Sequence, residues 1–381
     1  MAVPVPVIAS YITGHGIGHA LRHVEVLQTL GHQWPGCRFV LRTMVPRDFL
    51  ERHLTGLQVE IAPAELDAGM VERDFFRQHP EATLERLDAL AAQRHAIIAR
   101  EVAALATHRP TLVLADIPPL AGPIAARLGV PAVGIANFGW NFIYKGFLQA
   151  HPGFAPHIEQ IQNDYSSFTH LFRLPLSEPL EAFPHASDVG LLARRSRRSR
   201  RSAREALGLP GDSSRRLVVV VFRHAGPAPE ALQALGEADG GHTQYLVGGP
   251  VPVELPHWRA IPPSWAHEFA DLLAAADAVI AKPGYGIVAD CLANGTPLLH
   301  VPRHDFAEVP HLIAGIDAAR LPQRAITEDA FMQAAWASQL ESLLASPRGE
   351  PVAANGALHI ARGLEEMLAR KGMPSAPCIP A

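Results

Sequence analysis

The sequence predicts an α/β protein made of two parallel-sheet domains, and three observations carry the prediction. The chain has 381 residues, too many for one ordinary hydrophobic core and well suited to two. Short β-branched runs alternate with longer helical patterns, as they do in βαβ units whose sheets are covered on both faces. In each half, one strand leads through glycines directly into a helix, at Gly14-His15-Gly16-Ile17-Gly18-His19 and at Lys282-Pro283-Gly284-Tyr285-Gly286.

The elements follow in order. The run 3–10 is a first strand, interrupted by proline and lacking the basic leader of a secretory signal. Leu21, Val24, Leu27 and Leu30 have the spacing of one face of a helix over 20–30. Strands are expected at 37–42 and 59–61. A long alanine-rich helix over 81–108 should stop at Arg109-Pro110, because proline lacks a donor and restricts the residue before it. The strand 111–116 ends on Asp116, a helix covers 120–128, and the strand 131–137 ends on Asn137. The first domain is therefore placed at 1–176.

Periodicity weakens over 177–212, and the linker is placed at 177–216; its run Arg194-Arg195-Ser196-Arg197-Arg198-Ser199-Arg200-Arg201 reads as a solvated basic linker or helix start, in preference to a specific site for an anion or an acidic partner. The second domain, 217–354, opens on the run Leu217-Val218-Val219-Val220-Val221-Phe222, typical of a central parallel strand. Further strands are expected at 243–247, 278–280 and 297–302, with helices over 265–276 and 284–294. The segment 355–381 supplies a last helix, expected to pack back on the first domain, and a tail. Both domains are thus Rossmann-like, repeating an architecture rather than a sequence.

Composition narrows the function. Hydrophobic residues at 48% and charged residues at 18% describe a globular chain. A formal charge of −4 provides no general cationic field, so no nucleic-acid partner is expected and any anion site must be local. Cys37, Cys291 and Cys378 show neither disulfide nor metal-ligand spacing, which suits the cytoplasm. No apolar run is long enough to span a bilayer, although work on a lipid-linked substrate at a membrane surface stays compatible.

In the first glycine loop, Gly14, Gly16 and Gly18 remove side chains where a substrate must come close, and histidine takes up a proton near neutral pH. His19 is the candidate catalytic base, with Asp116 its orienting carboxylate if the fold brings the two together. A dinucleotide reading fits less well. Histidines would crowd the phosphates, and the region about twenty residues on offers Gln33, Trp34 and Arg38 in place of an acid. Gly14, His15, Gly16, Gly18, Asn137, Trp140 and Asn141 are assigned to the acceptor side. The stretch 137–144 offers aromatic faces and amide donors that suit a sugar or an amphipathic acceptor, and equally suit an aromatic plug closing the core.

In the second domain, the start of the helix at Gly284 is the better phosphate site, because unpaired amides and the helix dipole favour an anion there. Lys282, Gly284, Tyr285 and Gly286 are assigned to the donor, with Asp290 set to reach ribose hydroxyls. In the loop after the strand 297–302, Asp305 and Glu308 are expected to face the donor sugar. His300, His304 and His311 lie near these acids, but their spacing matches no tight metal pair, so neither metal nor cofactor is expected.

Three stretches resemble a known group: Tyr11-Ile12-Thr13-Gly14-His15-Gly16-Ile17-Gly18-His19-Ala20, then Asn137-Phe138-Gly139-Trp140-Asn141-Phe142-Ile143-Tyr144, then Lys282-Pro283-Gly284-Tyr285-Gly286 with Asp305-Phe306. They are similar to GT-B glycosyltransferases, nearest to the glycosyltransferase-like N-terminal half of plant L-arabinokinases and its free-standing bacterial relatives. More distantly they are similar to the enzymes that add N-acetylglucosamine in peptidoglycan lipid synthesis. The resemblance implies two Rossmann-like domains facing a cleft, the acceptor on the first and the nucleotide sugar on the second. It also implies no obligatory metal, since helix amides would neutralise the departing diphosphate. On the family pattern His19 is the acceptor-side histidine, Gly284 to Gly286 the phosphate loop, and Asp290 the ribose contact, though many relatives have glutamate there. The kinase half of the plant proteins has no counterpart in these residues, so sugar-kinase activity is not implied.

The function expected is transfer of a sugar from a nucleoside diphosphate, UDP or dTDP, to a hydroxyl or amine. The acceptor is a small molecule, a glycan or a lipid-linked sugar. The competing readings are an epimerase or hydrolase on the same fold, and a non-catalytic module that binds nucleotide sugars.

Overall fold

The computed structural model describes residues 6–209, 215–221, 226–248, 255, 257–262, 265 and 268–370. The expected strand start at 3–5, Phe222, the residues 266–267 of the expected helix 265–276, and Cys378 lie outside them. The chain divides into two units: Met1–Val71 with His79–Leu192 and Asn355–Ala381, and Glu72–Gln78 with Ala193–Ala354.

The first unit holds seven strands: β1 (Val7–Ile12), β2 (Arg38–Thr43), β3 (Gln58–Ala62), β4 (Leu112–Asp116), β5 (Ala132–Ala136), β6 (His170–Arg173) and β7 (Ala186–Asp188). They form one parallel sheet in the order β3-β2-β1-β4-β5-β6-β7. Position in the sheet explains composition. Central β1, β4 and β5 are buried along their whole length, whereas β3 at one edge is partly exposed and β7 at the other is fully so. Strand order reverses between β1 and β4, where Ile12 is in register with Asp116. That reversal opens a crevice at the carboxyl ends of these strands.

The helix Pro80–Ala106 begins at His79, whose side chain accepts from the Ala82 amide, with proline in its first turn. It ends before Arg109-Pro110, where Arg109 adopts φ 50°. Helix Gly356–Arg370 belongs to the first unit. Its Gly356 amide donates to the Leu191 carbonyl, and Gly363 leaves room for the ring of Phe172. β6, β7 and the helices Trp140–Lys145 and Ala155–Tyr165 are elements that the sequence pattern did not show.

The second unit holds β8 (Arg216–Val221), β9 (Thr243–Gly248), β10 (Trp258–Ala260), β11 (Ala278–Ala281), β12 (Leu298–His300) and β13 (Gln323–Ala325), parallel in the order β10-β9-β8-β11-β12-β13. The reversal here falls between β8 and β11. Segment Glu72–Gln78 is part of this unit, with Phe76 buried in its core among Val218, Ile280 and Phe331.

The expected separate linker over 177–216 is divided between the units at Leu192 and Ala193. Its arginine run is not a solvated stretch throughout. Arg194 pairs with Asp290, Arg198 with Asp271, and both Arg200 and Arg204 with Asp277. Ser196 adds a backbone bond to the Asn294 side chain at 3.0 Å. The run straps itself to Asp271 and Asp290 on the helices Phe269–Ala275 and Tyr285–Asn294 and to Asp277 between them, each acid drawing one of its cations. Among the described residues no helix is long and apolar enough to cross a membrane.

Candidate functional site

The reversal point of the first sheet gathers residues expected on the acceptor side. β1 runs out through Thr13 into the glycine loop, and helix Ile17–Gln33 starts at Gly16, which adopts φ 156° and ψ 148°. Gly14 is needed for space, since a Cβ there would lie 3.0 Å from that of Met44, while a Cβ on Gly18 would meet nothing within 4 Å. The first turn of the helix carries His19 and, three residues on, Arg22, so both point at the end of β4.

His19 Nδ1 lies 2.8 Å from Asp116 Oδ1. Arg22 reaches the same carboxylate with Nε 2.6 Å from Oδ2 and Nη2 2.5 Å from Oδ1, and its Nη1 donates to Asn137 Oδ1 at 2.7 Å. Asp116 is fully buried, and burial by itself would raise its pKa. The Arg22 cation and His19 outweigh burial and hold it well below the usual carboxylate range. An ionised Asp116 directs the Nδ1 proton of His19 inward and leaves Nε2, across the ring, to take a proton from outside. Thus His19, Asp116 and Asn137 are brought together, and Arg22 joins them. Sequence reading missed Arg22, although its three-residue spacing from His19 was a signal.

Beside this cluster stands an aromatic wall. Phe138 meets His19 edge-on at 5.7 Å and Trp140 at 5.4 Å, and Trp140 meets His15 at 5.1 Å. Trp140 is fully buried and donates through Nε1 to Asp67 Oδ2 at 3.1 Å, while Thr13 donates to Asp67 Oδ1 at 3.0 Å. Burial pushes the Asp67 carboxyl up to about 6, against the lowering effect of these two bonds. His15 Nδ1 accepts from the Met70 amide at 3.2 Å and packs on Gly69, whose φ of 61° and missing side chain let the ring approach. Asn141 is buried beside Gly139, and its Oδ1 has no partner among the described residues. In 137–144, Trp140 and Tyr144 stack into the core, as the aromatic-plug reading expects, and they also line a groove. That groove lies within the first unit, is partly open to solvent, and is lined by Leu66, Asp67, Leu87, Leu120, Trp140 and Tyr144 among others. Asp67 sits in an irregular stretch with no periodic pattern, so only the tertiary structure reveals it.

In the second unit, β11 ends at Ala281 and the helix Tyr285–Asn294 starts after Gly284, with no side chain capping its first turn. Lys282 is near this turn, but its ammonium is held by Glu72 at 2.8 Å and by the Phe75 carbonyl at 3.1 Å. Asp305 is exposed and adopts φ 56°. Glu308 is 3% exposed and lies 3.3 Å from Arg303, so the donor hydroxyls expected of it would have to reach a buried, paired carboxylate.

Asp290, the expected ribose contact, is paired inside the second unit. It is 2% exposed, and both of its oxygens accept from Arg194: Oδ1 from the backbone amide at 2.8 Å and Oδ2 from the guanidinium, Nε at 2.9 Å. A carboxylate filled in this way has little capacity left for a ribose, and it serves to fix the arginine strap. Among the described residues no group of three or more His, Cys, Asp or Glu side chains is placed to hold a metal ion.

Comparison with known proteins agrees with the geometry. The chain is 31% identical to L-arabinokinase of Arabidopsis thaliana over 343 residues, which is 88% of this chain and 32% of that one. It therefore spans about a third of the length of this relative. Among solved structures, the calicheamicin glycosyltransferase CalG4 superposes with a TM-score of 0.65 at 18% identity, covering 96% of this chain and 99% of that one. A Listeria monocytogenes protein described as a UDP-N-acetylglucosamine 2-epimerase superposes with a TM-score of 0.58 at 12% identity, covering 99% and 100%. No family model matches the sequence. The two parallel sheets and these neighbours establish the GT-B fold.

Proposed function

We propose that this chain of GT-B fold is a glycosyltransferase that moves a sugar from a nucleoside diphosphate sugar, with uracil or thymine as the base, to an acceptor hydroxyl or amine. The observation that carries this reading is the His19–Asp116 pair at the reversal point of the first sheet, with its carboxylate kept ionised by Arg22. A general base of this design takes a proton from a weakly acidic hydroxyl. In the transfer step, the acceptor oxygen or nitrogen forms a bond to the anomeric carbon of the sugar. The bond from that carbon to the diphosphate oxygen breaks, the diphosphate leaves with the electron pair, and the acceptor proton passes to His19 Nε2.

The donor phosphates are assigned to the Gly284 turn, where uncapped helix amides favour an anion. The acceptor is assigned to the groove lined by Trp140 and Tyr144. Its largely apolar walls suit an acceptor that carries its hydroxyl on an apolar or aromatic body. Metal-independent turnover and a cytoplasmic location belong to the same reading, the latter suiting the buried free thiols Cys37 and Cys291.

The test is a thermal-shift panel of nucleoside diphosphate sugars, followed by mass spectrometry of mixtures with apolar phenols, alcohols and amines in chelator. A ligand at 100 times its Kd adds about 2.7 kcal/mol. A stabilising donor followed by a product heavier by one sugar supports transfer. The fold is also shared with an epimerase, so a rearranged donor, or free sugar released without any acceptor, would move the assignment to isomerisation or hydrolysis. No response to any nucleotide would refute the reading.

A further inference from the structure

The cation expected at the phosphate turn, Lys282, is occupied by Glu72, which raises the question of what else meets the diphosphate there. We propose that Arg303 is the buried cation that receives the diphosphate at the Gly284 turn. The inference rests on the transferase reading given above and deepens it.

A Cβ built on Gly284 would have Arg303 Nη1 as its one neighbour within 4 Å, at 3.8 Å, so the guanidinium flanks the very residue that opens the helix Tyr285–Asn294. Arg303 follows β12, next in the sheet to β11, so both segments leave the sheet at carboxyl ends of adjacent strands. Its side chain is 10% exposed, and its Cζ lies over the Phe306 ring, 3.4 Å from the centroid. That cation–π contact holds the guanidinium over the ring and needs none of its donors.

The donors themselves are poorly used. Nη1 makes two long contacts, to the Pro283 carbonyl at 3.4 Å and to Glu308 Oε2 at 3.3 Å, and Nε has no partner among the described residues. The other arginines drawn into the fold behave differently: Arg22 and Arg94 each grip a carboxylate at 2.5 to 2.7 Å. A guanidinium removed from water and left with weak partners is costly unless an anion arrives. Burial accordingly lowers its pKa, against the raising effect of Glu308 and Glu72. A diphosphate carries more charge than Glu308 supplies, and its oxygens match the planar donor set. The uncapped helix amides and Arg303 then act on the same group, and both stabilise the charge that develops as the diphosphate leaves.

Affinities of the full chain for UDP and UMP, and for dTDP and dTMP, test this by calorimetry on the native protein, Arg303→Met and Arg303→Lys. Hydrogen bonds to a charged group of this kind correspond to about 10- to 100-fold in affinity. The expected result is a loss of that size for the diphosphate in Arg303→Met, less than about 3-fold for the monophosphate, and partial recovery in Arg303→Lys. Unchanged diphosphate affinity in Arg303→Met would overturn the inference, as would equal losses for both nucleotides. If Arg303→Met does not fold, the ratio of diphosphate to monophosphate affinity in Arg303→Lys decides, and a native ratio there overturns the proposal. Native protein that binds none of the four nucleotides would instead refute the transferase reading itself, and this proposal with it.

Discussion

Arg22 grips both oxygens of Asp116, Nε to Oδ2 at 2.6 Å and Nη2 to Oδ1 at 2.5 Å, so the carboxylate that meets His19 is already neutralised from inside the fold. His19 therefore works against a carboxylate whose position and charge are set by a residue one helical turn away.

Removing that cation leaves the buried Asp116 charge without its arginine partner. Arg22→Met should lower stability by about 3 to 5 kcal/mol in urea unfolding, the usual cost of stranding one member of a buried pair. Because the pKa of Asp116 is depressed in the fold, its contribution is present at neutral pH and fades as pH falls below the ordinary carboxylate range. A loss below about 1 kcal/mol would mean that Arg22 is not the partner that the geometry indicates.

His19→Ala should cut transfer by about 100- to 10,000-fold while leaving nucleotide affinity unchanged, as removal of a general base does. The comparison of kcat with donor Kd for the two proteins checks it. Activity within a few-fold of the native level would remove His19 from the mechanism.

Two buried groups beside this cluster should oppose each other in acid. Burial lowers His23 from 6.5 to about 4, so the unfolded chain binds its proton first and stability drains as pH falls through that interval. Burial raises Asp67 from 3.8 to about 6, so the folded protein holds the extra proton and stability drains as pH rises through that interval. Each window corresponds to about 3 kcal/mol, and over the shared range the two slopes cancel in the native protein. His23→Gln should tilt the profile toward stability at low pH, and Asp67→Asn the other way. Urea titrations at steps of one pH unit show this, and two variants with the native slope would disprove it.

Arg194→Ala and Asp290→Ala should destabilise the second unit by similar amounts, about 3 kcal/mol each, because either change strands a partner in a site 19% and 3% exposed. The double variant should cost little more than either single one, the mark of residues acting as a pair. If Asp290→Ala instead leaves stability intact and abolishes nucleotide binding, the ribose contact expected from the family pattern is right and the strap is secondary.

Much of the fold was legible in the residues. Strands such as Ala278–Ala281 and Leu112–Asp116 are continuous apolar runs because central parallel strands are buried on both faces, and the glycines at 14 and 284 mark where strand turns into helix. β6, β7 and β13 escaped notice because they lie toward the sheet edges and carry polar residues such as His170, Arg173, Gln323 and Arg324. The division of 177–216 between two units escaped as well, since ion pairing of Arg194 through Arg204 with Asp271, Asp277 and Asp290 leaves no periodic trace.

The residue pattern alone is enough to specify two parallel-sheet domains and to put His19, Asp116 and Asn137 at or beyond the carboxyl ends of strands. Local pattern is enough for that, because burial dictates composition along a strand and a helix start demands a particular turn. Which charges are spent inside the fold depends on how the chain packs. That packing gave Asp116 to Arg22, Asp290 to Arg194 and Lys282 to Glu72, and it left Arg303 weakly partnered beside Gly284. These pairings join residues 94, 96 and 210 positions apart, and an ion pair depends on distance in space, which the order of residues along a chain does not record.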